Sequence, residues 1–209
     1  MKIAVIGANG RAGRLIANAL ADRGQDVTAV VRESNRTRAR FALCKDALEL
    51  TARDLAGYDV VIDALGGWAP ETMDTVWKGA QHLASILSAC STRLLVVGGA
   101  GSLYTSAERT QTVTDAPDLP ELFKPVAAAH DRALKDLQNR TNLDWTCVSP
   151  AADFQPDEPQ TGNVIHAGEE FTVNKDGKSM ISYLDYADAF VNEVLNGHHV
   201  RERISFLQS

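Results

Sequence analysis

The sequence predicts an α/β protein, a Rossmann-like doubly wound parallel sheet with a small C-terminal lobe. Three observations carry that prediction. Five short runs, 2–6, 26–31, 59–64, 93–97 and 143–148, are nearly all apolar, as strands are when helices cover both faces of a parallel sheet. Helical patterns fall between them, at 11–23, 34–42, 71–89 and 121–139. The first strand also runs straight into a glycine turn that opens the first helix.

That turn is Gly7-Ala8-Asn9-Gly10-Arg11-Ala12-Gly13. Gly7 permits a tight turn off the strand, Gly10 lets backbone approach a pyrophosphate, and Gly13 lets the helix pack closely. The free N–H groups of the helix start, with the positive end of its dipole, make an anion site. All seven residues are therefore expected to hold a dinucleotide. A turn that uses glycine for geometry alone is the competing reading.

The second strand ends at Arg32, followed by Asn35, Arg36 and Arg38, with Glu33 as the only acid. A carboxylate at this place binds the ribose hydroxyls of NAD, whereas arginine accommodates the extra phosphate of NADP. Arg32 and Arg36 are read as a phosphate clamp with Arg11 as a third arm, which favours NADP(H) over NAD(H). A solvated basic helix start is the alternative. A weaker strand is expected near 47–50.

The run at 59–64 leads into Ala64-Leu65-Gly66, where small residues would let backbone lie against the adenosine half. The run at 93–97 leads into Gly98-Gly99-Ala100-Gly101-Ser102-Leu103-Tyr104, a small-residue floor for the nicotinamide. Ser102 and Tyr104 could bond a carboxamide or an acceptor oxygen, or be satisfied by local backbone. His130 falls on the following helix and could serve as an acid near neutral pH. Pro150 and Ala151 are expected to line the nicotinamide pocket, and Phe154 or Trp68 to stack on a planar acceptor. Asp153, with Asp157 and Glu158, forms an acidic lip that disfavours the phosphate of FMN.

After Pro150 the texture changes. Residues 151–163 read as loop, and Lys175-Asp-Gly-Lys178 as a turn between two short strands. Ser182-Tyr-Leu-Asp185 resembles a capping box opening a helix at 184–196 that ends near Gly197, before a closing strand at 203–207. One domain, 1–209, with a small C-terminal substrate lobe over about 151–209, is the economical division. The Thr-, Asp- and Pro-rich stretch 105–120 is either a lid over the site or a surface loop.

Composition narrows the classes. The chain has 209 residues, 44% hydrophobic and 23% charged, as in an ordinary soluble globule. A net charge of -6 argues against a nucleic-acid surface. Cys44, Cys90 and Cys147 are widely spaced and suggest neither a metal site nor a disulfide framework; Cys90 and Cys147 read as core residues. No basic region precedes a long apolar stretch, so a secretory signal and a membrane span are not expected. A cytoplasmic monomer or homodimer, acting on a small molecule, is the expectation.

One absence is informative. Short-chain dehydrogenases usually carry Tyr-x-x-x-Lys, in which the lysine lowers the tyrosine pKa for proton transfer. The four tyrosines here, 58, 104, 183 and 186, are followed at that spacing by Ile62, Glu108, Ala187 and Phe190. Oxidation of an alcohol, epimerisation and dehydration are disfavoured.

The segments GANGRAG, DALGG, VVGGAGSLY, LDWTCVSPAADF and DGKSMISYLDYADAFVNEVL together resemble the NAD(P)H-binding, NmrA-like atypical short-chain dehydrogenase/reductase family, in its NADH-flavin reductase branch. The resemblance covers essentially the whole chain. It implies a Rossmann-like fold, a reduced nicotinamide cofactor and hydride transfer to a small planar acceptor such as a flavin, quinone or carbonyl compound. The competing implication is a non-catalytic NmrA-like regulator that senses dinucleotide. The self-contained chain, with no appended interaction segment, favours the enzyme.

Overall fold

The computed structural model describes residues 1–67, 70–117 and 119–209. The apolar run at the N-terminus forms β1 (Lys2–Ile6), and the glycine turn leads into α1 (Arg11–Asp22). There follow β2 (Asp26–Val31), β3 (Phe41–Cys44), β4 (Val60–Asp63), α2 (Pro70–Ile86), β5 (Arg93–Val97), α3 (Lys124–Gln138) and β6 (Trp145–Pro150). The C-terminal part supplies β7 (Asp153–Gln155), β8 (Val164–Ala167), β9 (Met180–Ser182), α4 (Tyr183–Asn196) and β10 (Glu202–Gln208).

Eight strands form one sheet in the order β3-β2-β1-β4-β5-β6-β10-β8, parallel except for β8, which runs antiparallel to β10. The order reverses between β1 and β4, so the crevice at the strands' C-terminal ends opens there, beside the glycine turn. Alternation along β1 splits the core. Ile3 and Val5 face the layer that holds α1 and α4, with Ile16, Leu20, Tyr186 and Phe190. Ala4 and Ile6 face the layer that holds α2 and α3, with Leu83, Leu87, Leu134 and Leu137. Strands buried on both faces are the reason the runs lack polar alternation.

The lobe after Pro150 is joined to the sheet rather than appended, because β10 lies between β6 and β8, with Ile204 beside Val148. The turn at 175–177 is present, held by Asn174, but its flanks do not pair with each other. Instead β8 pairs with β10, and β9 forms a separate two-stranded parallel sheet with β7. Ser182 caps α4 by accepting from the Asp185 N–H at 3.0 Å, and Gly197 closes the helix at φ 66°. The capping box is only half made. The Asp185 carboxylate, fully buried, accepts instead from the N–H groups of Thr161 and Gly162, pinning that loop to the helix.

Two sequence expectations fail together. The helix expected at 34–42 does not form: residues 32–40 are a loop, and 41–44 are the edge strand β3. Local hydrogen bonds hold that loop, from the Asn35 amide to the Ala39 carbonyl and from the Arg38 N–H to Asn18. An edge strand with one exposed face needs little apolar patterning, so Arg- and Ala-rich composition misleads there. The strand expected near 47–50 is a 3-10 turn over Ala47–Glu49, capped by Asp46. Cys147 is buried as expected, whereas Cys90 is exposed at the end of the turn after α2. Among the described residues, no helix is long and apolar enough to cross a membrane.

Candidate active site

The glycine turn is built by close approach. A Cβ on Gly7, at φ +73°, would stand 2.9 Å from the Ala64 carbonyl oxygen. A Cβ on Gly13 would stand 2.4 Å from the Gly7 carbonyl oxygen. Both positions therefore require glycine to seat α1 against β1 and β4. Ala8 is buried in the α1 layer, and Ala12 packs beside it. Gly10, the N-cap residue, offers no side-chain cap, and the first turn of α1 holds no acid. Its amides and dipole are left for an anion from outside the chain.

Beside the turn lies a cavity of about 220 Å³, walled by Gly7, Asn9, Gly10 and Arg32 on one side and by Ala64, Leu65 and Gly66 on the other. Nothing lies within 4 Å of a Cβ built on Gly66, so the backbone there borders open space. Further wall comes from Lys45, Asp46, Ala47 and Leu48, and from Thr72 and Thr75 of α2. Sequence reasoning read a helix over 34–42 and a weak strand near 47–50, and so did not bring these residues to the nucleotide. The shape fits the adenosine half of a dinucleotide, with pyrophosphate at the start of α1.

Asn9 shapes the mouth. Its amide donates to the Ser34 carbonyl at 2.9 Å and its oxygen accepts from the Arg36 N–H at 2.9 Å, tying the turn to the loop after β2. Arg32 is exposed and lines the cavity. The neighbouring arginines carry ion pairs of their own. The Arg36 guanidinium is paired with Glu33 at 2.9 Å, and that of Arg38 with Asp22. Arg11 is exposed and does not line this cavity.

At the β5 end, a Cβ on Gly98 would lie 2.8 Å from Cys147 Sγ, and one on Gly99 would lie 3.0 Å from the His130 ring. Packing thus demands both glycines and sets the imidazole over the Gly99 backbone. Burial pushes His130 down to about 4. The ring is therefore neutral near pH 7, which corrects the expectation of an acid titrating there. A neutral imidazole still offers an N–H, as a hydrogen-bond donor to a carbonyl. Following the His130 ring protons by NMR, with His130→Gln for assignment, should give a midpoint below pH 5. A midpoint near 6.5 would reinstate the acid.

Ser102 and Tyr104 are both held by residues of the C-terminal part. The buried Arg203 donates to the Ser102 hydroxyl at 3.1 Å, so Ser102 is occupied. Tyr104 exchanges backbone hydrogen bonds with Glu169 and Phe171 and sits between Arg109 and Arg203. The same contacts, with Thr114 bonded to the Gly101 carbonyl, hold 101–115 down as a strap rather than leaving it a free lid.

Pro150 ends β6 and Ala151 is buried beneath the crevice. One face of the Phe154 ring is stacked on Tyr183, at 3.7 Å between centroids and 1° between planes, and Tyr186 meets it at 60°. That stack with Tyr183 covers one face of Phe154. Trp68 lies outside the described residues. Asp153, Asp157 and Glu158 are exposed, as the acidic lip requires.

Sequence reasoning also overlooked Asp63, the last residue of β4. It is buried, and its carboxylate accepts from the Leu65 N–H at 3.0 Å. Burial pushes it up to about 7, with that hydrogen bond opposing. An acid inside the apolar run VVIDAL was the available signal. A larger cavity, about 570 Å³, lies at the β8–β10 edge. Its charged walls are largely paired, as Arg109 with Glu169, and no glycine-turn residue reaches it.

A family model described as NAD(P)H-binding matches residues 7–196. YwnB of Bacillus subtilis (strain 168), an uncharacterised protein, is 40% identical over 208 residues, covering 98% of this chain and 97% of its own. The crystal structure of SP1627 from Streptococcus pneumoniae TIGR4, a candidate NADH-flavin reductase, is 49% identical, with a TM-score of 0.97 over 100% of both chains. A candidate epimerase from Bacteroides thetaiotaomicron is 31% identical, with a TM-score of 0.86 over 99% of this chain and 96% of that one.

Proposed function

The chain belongs to the NAD(P)H-binding family, and from that premise we propose that it is a reductase passing hydride to a small planar acceptor. The observation that carries this is the uncapped start of α1, seated by Gly7 and Gly13 and opening beside the adenosine-shaped cavity. When bound, a reduced nicotinamide supplies the hydride. The chain's own groups do the rest. Amides at the start of α1 hold the pyrophosphate, Asn9 braces the β2 loop, and His130 presents a neutral N–H beside Gly99 to orient a carbonyl group. The relationship to SP1627, the absent Tyr-x-x-x-Lys and the acidic lip together favour riboflavin, a quinone or a carbonyl compound over FMN. Reduced nicotinamide is regenerated in the cytoplasm, which is where we place the protein.

We assign NADPH as the preferred nucleotide on Arg32. Arg36 is partly neutralised by Glu33, so Arg32 should carry most of the contact. A charge-assisted hydrogen bond is worth about 1.5–3 kcal/mol, roughly ten- to a hundredfold in affinity. Arg32→Ala should weaken NADPH binding by about that factor and NADH binding little, while Arg36→Ala does less. Equal loss for the two nucleotides, in fluorescence titrations, removes the NADP assignment.

The test of function is oxidation of NADPH and NADH by the purified protein with riboflavin, FMN and a simple quinone offered separately. Turnover above the uncatalysed rate establishes the reductase. Tight nucleotide binding without turnover would move the protein to the dinucleotide-sensing class.

A further inference from the structure

The cavity of about 570 Å³ at the sheet edge has a wall of three arginines. β8 pairs with β10 only from Ser205 onward, so Glu202, Arg203 and Ile204 border this cavity at the open edge of the sheet. Arg109 and Arg201 also line it, and both hold left-handed backbone, at φ 54° and 58°. Residues with a Cβ rarely adopt that conformation, and such strain gathers at binding sites. The Arg203 side chain is only 1% exposed. Its terminal nitrogens donate to the carbonyl and hydroxyl of Ser102 and to the Glu169 carbonyl. Its Nε has no hydrogen-bond partner among the described residues. The Glu169 carboxylate stands 3.8 Å from that nitrogen and is already paired with Arg109 at 2.7 Å. Glu202, the other acid of the wall, alternates to the face of β10 opposite Arg203. One carboxylate thus serves two guanidiniums.

We propose that this cavity binds a small organic carboxylate, seated against Arg203 and held by Arg109 and Arg201. A guanidinium stays charged in a protein, and a charge taken out of water requires an anion beside it. Sharing Glu169 leaves one positive charge short of a partner, which suits a monoanion better than the dianion of a phosphate. A carboxylate also matches the planar fork of a guanidinium, oxygen for N–H. The Arg201 guanidinium is half-exposed and pairs with Asp144 at 3.2 Å, an exposed contact that exchanges at little cost. Ile204 and Phe206 give the cavity an apolar side, with the His166 ring edge-on to Phe206 at 4.7 Å, so the ligand carries an apolar body behind its carboxylate. None of these residues lines the nucleotide cavity, and the site is independent of the reductase reading.

The experiment is calorimetric titration of the purified protein, at constant ionic strength, with sodium benzoate, benzamide and inorganic phosphate. Benzoate should bind. Benzamide, which has the same shape without the charge, should bind at least about tenfold more weakly, and phosphate, which lacks the apolar body, should also bind more weakly than benzoate. Arg109→Gln and Arg201→Gln alter side chains that are about half exposed, so the fold should tolerate them. Each should weaken benzoate about tenfold, the scale of one charge-assisted hydrogen bond. Glu169→Gln removes the internal competitor and should tighten benzoate by a similar factor, a gain that a damaged fold would not produce. Absence of benzoate binding to the wild type overturns the proposal. So does equal binding of benzamide, or an affinity that neither arginine variant changes, or a loss of affinity in Glu169→Gln. Tighter binding of phosphate overturns the carboxylate. A benzoate affinity that falls in Arg32→Ala overturns the site and moves the anion to the nucleotide cavity.

Discussion

Gly13→Ala will cost nucleotide binding and stability together. The added Cβ would stand 2.4 Å from the Gly7 carbonyl oxygen, 3.1 Å from the Gly7 carbonyl carbon and 3.2 Å from the Ala64 Cβ. Two of these neighbours are backbone, so no side chain can swing aside. Relief requires α1 to lift from β1 and β4, which also moves the amides that face the anion. Overpacking a core typically costs about 1–3 kcal/mol, and a backbone obstacle puts this site at the upper end. In a chain of this length that is a fall of roughly 5–10 °C in thermal midpoint. Nucleotide affinity should fall more than tenfold. Gly66→Ala is the contrast, because nothing lies within 4 Å of its Cβ. It should leave the midpoint nearly unchanged while intruding on the nucleotide. Equal midpoints for Gly13→Ala and wild type would mean that the close approach does not exist.

Asp63→Asn will stabilise the protein at pH 8 and flatten its pH dependence. The buried carboxyl is pushed up to about 7 in the folded state, against 3.8 for a free aspartate. Below about pH 4 it is protonated in both states and costs nothing. Between pH 4 and 7 the unfolded chain releases the proton while the folded one keeps it, so stability falls as pH rises. Above 7 the loss is complete. One pKa unit corresponds to about 1.4 kcal/mol, so the whole effect is on the order of 4 kcal/mol. Asparagine keeps an oxygen for the Leu65 N–H and does not ionise. Urea midpoints for the two proteins should therefore agree near pH 4 and diverge by pH 8, with the variant higher. Parallel curves would show that the carboxylate is hydrated in the fold.

Much of the architecture is legible in the chain because it rests on local rules. Strands buried on both faces must be apolar throughout, so β1, β2, β4 and β5 are found within a residue or two of their bounds. The glycine turn is legible for a similar reason: Gly7, Gly10 and Gly13 serve backbone geometry between adjacent elements. Where neighbours distant in sequence decide, local reading falters. β3 takes its conformation from pairing with β2, at Thr28 beside Phe41, and not from its own pattern. With it went Lys45 to Leu48, the far wall of the nucleotide cavity.

The chemical groups divide in the same way. Fold class, the glycine turn and the missing Tyr-x-x-x-Lys spacing can be read along the chain, because each shows in runs of neighbouring residues. Which side chains are free to act follows from packing between distant segments. Arg203 donates to Ser102, Glu33 holds Arg36, and burial keeps the His130 ring neutral. The physical reason is that burial and partnership set a side chain's charge and reach, and both are properties of the packed layers rather than of any stretch of chain.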